Sequence, residues 1–431
     1  MNKKKLCPWG ICQLLIIILL TGCSIIPSEN RSTPMPVVAA GSLYRGNPGR
    51  TGEYANGGTP VQPNSQVLWE YADWTSLRPP VIGNGLVFLS EYGRNNRIDA
   101  LDSKTGRKLF SLNTGDAIFH STPTFDEGIL YYATPTSLQA YDVDRREVLW
   151  SYKTENNALS PIVFDNTVYF GIGDDFGSGN SGAICALDST TGSLKWQMPY
   201  DDVISSDLAI ENNILYFNSS TYLGIGDVIM RQPTLRAADR STGKELWTFA
   251  PPGTHDPEYP LEMSEPIVAN GMVFTIIGGV YEQPTTIYAL NATTGKVIWT
   301  IKKPELIDPQ PVVFYGGWIY LTMGQFARNS SSIIALDAKT GKQQWIFPSK
   351  GHMQIPAISD DILYVATGEY SEEGMVFALD PRTGQKLREM KLGNGRPNQA
   401  PVIADGVLYQ NFDKMLVALG CCGSATPTST P

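Results

Sequence analysis

Histidine and cysteine are scarce in this chain: three His and six Cys in 431 residues. His120, His255 and His352 share no zinc-type spacing with any Cys, and no C-x-x-C-H is present, so a structural zinc site and c-type haem attachment are excluded. Cys7 and Cys12 lie in a leader, and Cys185 sits in an apolar run, where it reads as a small core residue. Cys421 and Cys422 adjoin a Ser/Thr/Pro tail, where an oxidising compartment would permit a disulfide. Charge is also sparse, at 17% Asp, Glu, Lys and Arg, with a formal net charge of −9. That acidic balance argues against nucleic-acid binding, which depends on Lys and Arg neutralising phosphates. The glycine-rich stretch Gly171-Ile172-Gly173-Asp174-Asp175 joins two strands, opens no helix and lacks EF-hand spacing, so it is neither a phosphate cradle nor a calcium loop.

What the chain has is repetition. Ala335-Leu336-Asp337-Ala338-Lys339-Thr340-Gly341 followed by Trp345 reads as a strand, a tight turn and a second strand. The Asp side chain can bond turn N–H groups, and the Gly can take positive φ. Copies recur through Asp102, Asp142, Asp188, Asp239, Asn291, Asp337 and Asp380 to a worn last copy at Gly420. The spacing of about 45 residues matches four-stranded propeller blades. Thr-Gly follows in six copies, but the second has Arg145-Arg146. Four residues further on stands Phe110, Trp150, Trp196, Trp247, Trp299, Trp345 or Arg388.

Before each copy lie two apolar runs separated by a turn, as in Pro80 to Phe88 and Pro401 to Tyr409. Asn84-Gly85, Asn270-Gly271 and Asp405-Gly406 are hairpin signals. Each repeat is therefore two hairpins, A–B and C–D. The eighth repeat stops after strand C, and the missing strand, with Trp69, lies at the start, about residues 66–71. The expected fold is an all-β, eight-bladed propeller of four-stranded antiparallel blades, its ring closed by that N-terminal strand. The A–B and C–D turns share one face. The longer loops share the other, where Gly171–Gly182, Ser219–Pro233 and Pro251–Met263 are expected to form a functional patch.

Residues 1–22 read as a signal segment: Lys3-Lys4-Lys5, an apolar run from Leu14 to Leu20 too short for a confident membrane span, then Leu20-Thr21-Gly22-Cys23. This looks like a bacterial lipobox, with Cys23 acylated and anchoring an extracytoplasmic protein to a cell membrane. Without the three lysines the charge is about −12, a balance that favours solubility. Residues 23–61 form a tether and a lead-in, Arg45-Gly46-Asn47-Pro48-Gly49-Arg50-Thr51-Gly52, read as a loop capping the propeller. Residues 62–420 are the propeller and 421–431 a flexible tail.

The repeat resembles the PQQ-type (quinoprotein-like) propeller repeat, a family that includes quinoprotein dehydrogenases and the outer-membrane assembly lipoprotein BamB. The lead-in is similar to the R-G-N-P-x-R-T-G of some members. The resemblance implies an eight-bladed scaffold and raises two activities, protein or peptide binding and PQQ/calcium-dependent oxidation. Residues preceding the innermost strands face the channel mouth, and Arg78, His120, Asp207, Glu265, Gln310, Gln354 and Gln399 are the candidates there. Asp207 and Glu265 fall on adjacent blades, where they are expected to be solvated rim carboxylates rather than a cation site. The dehydrogenases' ligand and base motifs find no counterparts, so no catalytic residue, cofactor or metal is assigned. The expected partner is a protein or peptide of the cell envelope. A third reading is glycan or small-ligand binding, suggested by Trp74, Tyr222, Tyr259 and Phe326 in or near loops.

Overall fold

A computed structural model describes residues 41–421, apart from 73–77, 91–95, 117–120, 174–180, 226–227, 253–260, 280–284, 304–309, 326–329, 370–372 and 413. Cys23, His120 and Cys422 lie outside the described residues, as do Trp74, Tyr259 and Phe326. Eight antiparallel sheets follow one another along the chain, each with the order A–B–C–D. Blade 1 comprises Val81–Gly83, Leu86–Ser90, Arg97–Asp102 and Lys108–Asn113. Blade 8 is built from Val402–Ala404, Val407–Phe412 and Met415–Cys421, with Ser65–Tyr71 added from the N-terminal side. The closing register pairs Trp69 with Ala418 and Tyr71 with Leu416, so the ring has no open seam. The last strand runs through Cys421, one residue past the expected boundary, and the Cys421 thiol donates to Asn64 Oδ1 at 3.2 Å.

The B and C strands are buried along their length, as Thr167–Ile172 illustrates, because neighbouring blades cover both faces. Outer D strands alternate between half-buried and exposed. In the turn of the organising repeat, Asp337 Oδ1 accepts from Thr340 N at 2.8 Å and from Thr340 Oγ1 at 2.7 Å. That hydroxyl, with the backbone N–H groups, holds the Asp337 carboxyl below its ordinary pKa.

The glycine of each turn serves the neighbouring blade. Each D-strand Trp lies on the Thr-Gly turn of the next blade and donates its indole N–H there. Trp69 reaches Ser103 O at 2.9 Å, Trp247 reaches Ala292 O at 2.8 Å and Trp299 reaches Ala338 O at 2.9 Å. A β-carbon at Gly106, Gly192, Gly243, Gly295 or Gly384 would sit 2.6 Å from the ring of the previous blade's Trp. Trp–Gly is thus one contact made by two adjacent repeats.

Both irregular repeats follow from this pairing. Blade 2 carries Arg146 where Gly is expected, at φ 58°, and the ring that meets it is Phe110, with Arg146 Cζ 4.5 Å from its centroid. Blade 7 carries Arg388 in place of Trp because the next blade takes its D strand from the N-terminal side and so has no C–D turn to receive an indole.

Blade 4 departs from expectation. Ser219–Pro233 is not a loop: Ile214–Ile225 and Val228–Asp239 form one continuous ladder out to the Ile225–Val228 pair. Thr221, Tyr222, Ile225, Val228 and Ile229 are residue types that favour strands, and they favour extension of the B–C hairpin beyond the blade.

Candidate functional site at the channel mouth

The channel along the propeller axis is filled by the chain itself. Residues 41–57 run round its wall and give their carbonyls to the inward N–H of the middle residue in the A strands of blades 1, 2, 4, 5, 6 and 7. Gly41 O accepts from Ile82 at 2.9 Å, Ser42 O from Phe125 at 2.9 Å, Pro48 O from Ile210 at 2.8 Å and Gly49 O from Val268 at 3.0 Å. Thr51 O then accepts from Phe314 at 2.8 Å, Gly52 O from Ile358 at 2.9 Å, and Gly57 O from Gly406 N at 2.7 Å in the A–B turn of blade 8. An innermost strand has no neighbour on its channel side, so these N–H groups need a partner, and the plug supplies it. Expected as a cap lying on the propeller, the lead-in instead plugs its axis. Glycine is required where the plug meets the blades: a β-carbon on Gly52 would lie 2.8 Å from Val313 Cγ2.

Two fully buried arginines of the plug, Arg45 and Arg50, anchor it. Arg45 Nε donates to Arg50 O at 3.0 Å, and its Nη2 donates to Val312 O. Arg50 Nε donates to Leu208 O at 2.7 Å, and its Nη1 stands 3.5 Å from Asp207 Oδ2. Asp207 Oδ1 also accepts from Ser160 N at 3.3 Å. Above the plug lies a cavity of about 220 Å³, in whose walls Arg78, Asp207, Glu265, Gln399 and Tyr44 meet several Ser and Thr hydroxyls. Four of the residues expected at the mouth are therefore brought together. Gln310 and Gln354 are not in its walls, and Gln354 Nε2 is turned to Pro397 O at 2.8 Å.

The expectation of two solvated rim carboxylates is corrected. Asp207 has a side chain 11% exposed and bound to a buried guanidinium. Glu265 Oε2 is buried without a hydrogen-bond partner. Burial, reinforced by the Asp207 charge and opposed by Arg50, Arg45 and Arg78, pushes the Glu265 carboxyl up to about 7. These placements were hidden in the sequence because the plug whose arginines meet the carboxylates is a single-copy segment outside the repeat.

This set does not fit a calcium ion. Ca²⁺ takes six to eight oxygens, whereas here Arg50 already neutralises Asp207 and a second guanidinium, Arg45, stands close to Glu265. Among the described residues no three His, Cys, Asp or Glu side chains converge in a metal-binding group. The cavity also falls below the usual 300–1,000 Å³ of cofactor pockets.

A ring of eight blades with inter-blade Trp docking defines a PQQ-type propeller. The family model described as "Outer membrane protein assembly factor BamB" matches residues 59–211, 180–304 and 231–419, and the chain belongs to that family. Tetrathionate hydrolase of Acidithiobacillus ferrooxidans is 26% identical over 283 residues, 61% of this chain and 51% of the hydrolase. Quinoprotein alcohol dehydrogenase PedH of Pseudomonas putida is 23% identical over 183 residues, 39% of this chain and 27% of the enzyme. The chain thus spans about half or less of these curated relatives. Among solved structures, BamB from Moraxella catarrhalis matches with a TM-score of 0.58 at 13% identity, over 83% of this chain and 99% of that one. A europium-containing methanol dehydrogenase gives 0.63 at 14% identity, over 86% and 89%. At these identities the likeness is one of fold.

Proposed function

We propose that this protein is a lipid-anchored, extracytoplasmic propeller that works as a binding scaffold for a protein or peptide of the cell envelope. The observation that carries the reading is the plug: residues 41–57 fill the axis with the chain's own backbone. Recognition is then left to the loop-bearing face. Membership of the BamB family supports a protein partner, and Leu20-Thr21-Gly22-Cys23 supports acylation at Cys23. Several acyl chains at one residue give stable anchoring, whereas a single chain does not. The test is crosslinking in intact cells followed by solubilisation and affinity capture of the full chain. A discrete envelope protein should copurify, and Cys23→Ala should move the chain from the membrane to the soluble fraction. Capture of nothing above a mock control refutes the scaffold reading, and unchanged membrane partition of C23A refutes the anchor.

The match to quinoprotein alcohol dehydrogenases keeps one competing reading, oxidation with PQQ and calcium. It requires the plug to leave the axis or the cofactor to sit above it. Titration of the purified chain with PQQ and Ca²⁺ decides it, and saturable binding with dye reduction would overturn the scaffold reading.

A further inference from the structure

A second cavity, of about 300 Å³, lies between blades 2 and 3 on the loop-bearing face, away from the axis. One wall is the end of blade 2's outer strand, Glu147–Lys153, continued by Thr154, Glu155 and Asn156. The other is blade 3, through Ile172, Ala183, Gln197 and Pro199. We propose that this cleft is a binding site for a neutral saccharide of one or two rings.

Four observations carry the proposal. The first is the mixture of surfaces. Tyr152, Ile172, Ala183 and Pro199 present an aromatic ring and C–H groups, while Thr154, Asn156 and Gln197 present hydroxyl and amide groups. A pyranose ring has the same two-sided character, an apolar C–H face and an equatorial fringe of hydroxyls that both donate and accept. The second is an unmet hydrogen bond: Thr154 Oγ1, in the cavity wall, is buried without a partner. The third is charge. Lys153 and Glu155 balance each other, and no guanidinium lines the cleft, so it is built for neither a phosphate nor a carboxylate. The fourth is the backbone. Gly182 and Ala183 are already paired with Tyr200 and Pro199, Ala183 also with Ile172, and Ala158 bridges Ile172. The B and C strands of blade 3 therefore offer no free edge at the cleft to an extended peptide, and the edges that stay open there are those of the outer strands, Glu147–Lys153 and Leu194–Tyr200.

The walls are held in place before any ligand arrives. The Tyr152 ring stands edge-on to Phe170 at 75°, with centroids 6.1 Å apart, and its hydroxyl donates to Gln197 Oε1 at 3.4 Å. Thr154 N donates to Thr136 O at 2.9 Å, and Gly173 N to Asn157 O at 3.0 Å. A preformed cleft of this kind loses little entropy on binding.

Saturation-transfer NMR on the full chain tests the site, with glucose, galactose, N-acetylglucosamine, maltose and chitobiose as probes, and glucuronate and triglycine as controls. At least one neutral sugar should bind with a Kd of about 1 mM or tighter. Thr154→Val, which keeps the shape of the side chain, and Asn156→Ala, on an exposed position, should each weaken it at least fivefold with unchanged thermal midpoints. Three results overturn the proposal: no binding by any neutral sugar, binding that both variants leave intact, or an Asn156-dependent signal from triglycine or glucuronate instead. None of these depends on whether a protein partner is captured.

Discussion

Two glycines of blade 5 offer a matched test of how the repeat holds the ring together. Gly295 is the turn glycine under Trp247, at φ 66°, and Gly271 lies in the A–B turn of the same blade, at φ 72°. Alanine at either position places an L-residue in the left-handed region, at about 1 kcal/mol. For Gly271→Ala that is the whole cost, because its β-carbon would meet nothing within 4 Å. For Gly295→Ala the β-carbon would sit 2.6 Å from Cδ2 and Cε3 of Trp247. The indole must then withdraw, and two contacts weaken: its 2.8 Å hydrogen bond to Ala292 O and its packing on Tyr216, whose ring centroid is 6.0 Å away. Losing roughly 1 kcal/mol for the bond and about 1 for the aromatic pair puts Gly295→Ala about 2 kcal/mol below Gly271→Ala. Guanidinium unfolding followed by far-UV circular dichroism measures both, with unchanged m-values as the check that one transition is being compared. In a Trp247→Phe background the gap should shrink, since the smaller ring leaves room for the methyl. Equal losses from the two alanines, or a gap that survives Trp247→Phe, would refute the docking argument.

Three further expectations follow from the same geometry. Phe110→Trp and Arg146→Gly should each destabilise or be neutral alone and couple favourably by about 1 kcal/mol together, because the pair restores the consensus contact; a double-mutant cycle measures it. Arg50→Met should cost about 3–5 kcal/mol by leaving the Asp207 carboxylate without its guanidinium, and Arg50→Met/Asp207→Asn should recover part of that in the same denaturation assay. For Glu265, the folded carboxyl is raised to about 7 from an ordinary 4.5. The folded chain therefore keeps a proton that the unfolded chain releases, so this stabilisation is complete below pH 4.5 and is lost as pH rises through about 7. It is bounded at about 3 kcal/mol. His352, lowered to about 4 chiefly by burial, acts in the opposite sense and is lost as a neutral group when pH falls. The informative quantity is accordingly the difference between wild type and Glu265→Gln from pH 5 to 8. It should change across that range, and a flat difference would show that Glu265 titrates normally.

Most of the fold could be read from spacing, because a propeller writes its architecture once per blade. The Asp-x-x-Thr-Gly turns, the Trp positions and the displaced closing strand all have positional meaning that counting exposes. Even the exceptions at Arg146, Phe110 and Arg388 were visible, although their cause was not: the partner of each Trp lies in the next repeat, and a repeat-by-repeat alignment hides contacts between repeats. The site was less legible. Asp207 and Glu265 were placed at the mouth by their offset from strand A, but their burial depends on Arg45 and Arg50, which occur once and have no periodic counterpart. The blade 4 hairpin was misread as a loop because its polar Ser219-Ser220-Thr221 and the nearby Gly224 look like turn chemistry, whereas register along a ladder is set by the partner strand.

The plug also dictates how the molecule would respond to force. Residues 41–57 come before the closing strand Ser65–Tyr71 in the chain and contact the blades through backbone hydrogen bonds spaced along the plug, reinforced by the Arg45 and Arg50 side chains and by a pair of bonds at Ile358. A load entering from the N-terminal end meets these bonds one after another, Ile82 first and Gly406 last, before any of it reaches the closing ladder. Forced unfolding is governed by the rate of the step under load. The plug would therefore yield in steps, the largest at Arg45 and Arg50, while the ring stayed shut, a mechanical fuse between a pull on the N-terminal side and the eight blades behind it.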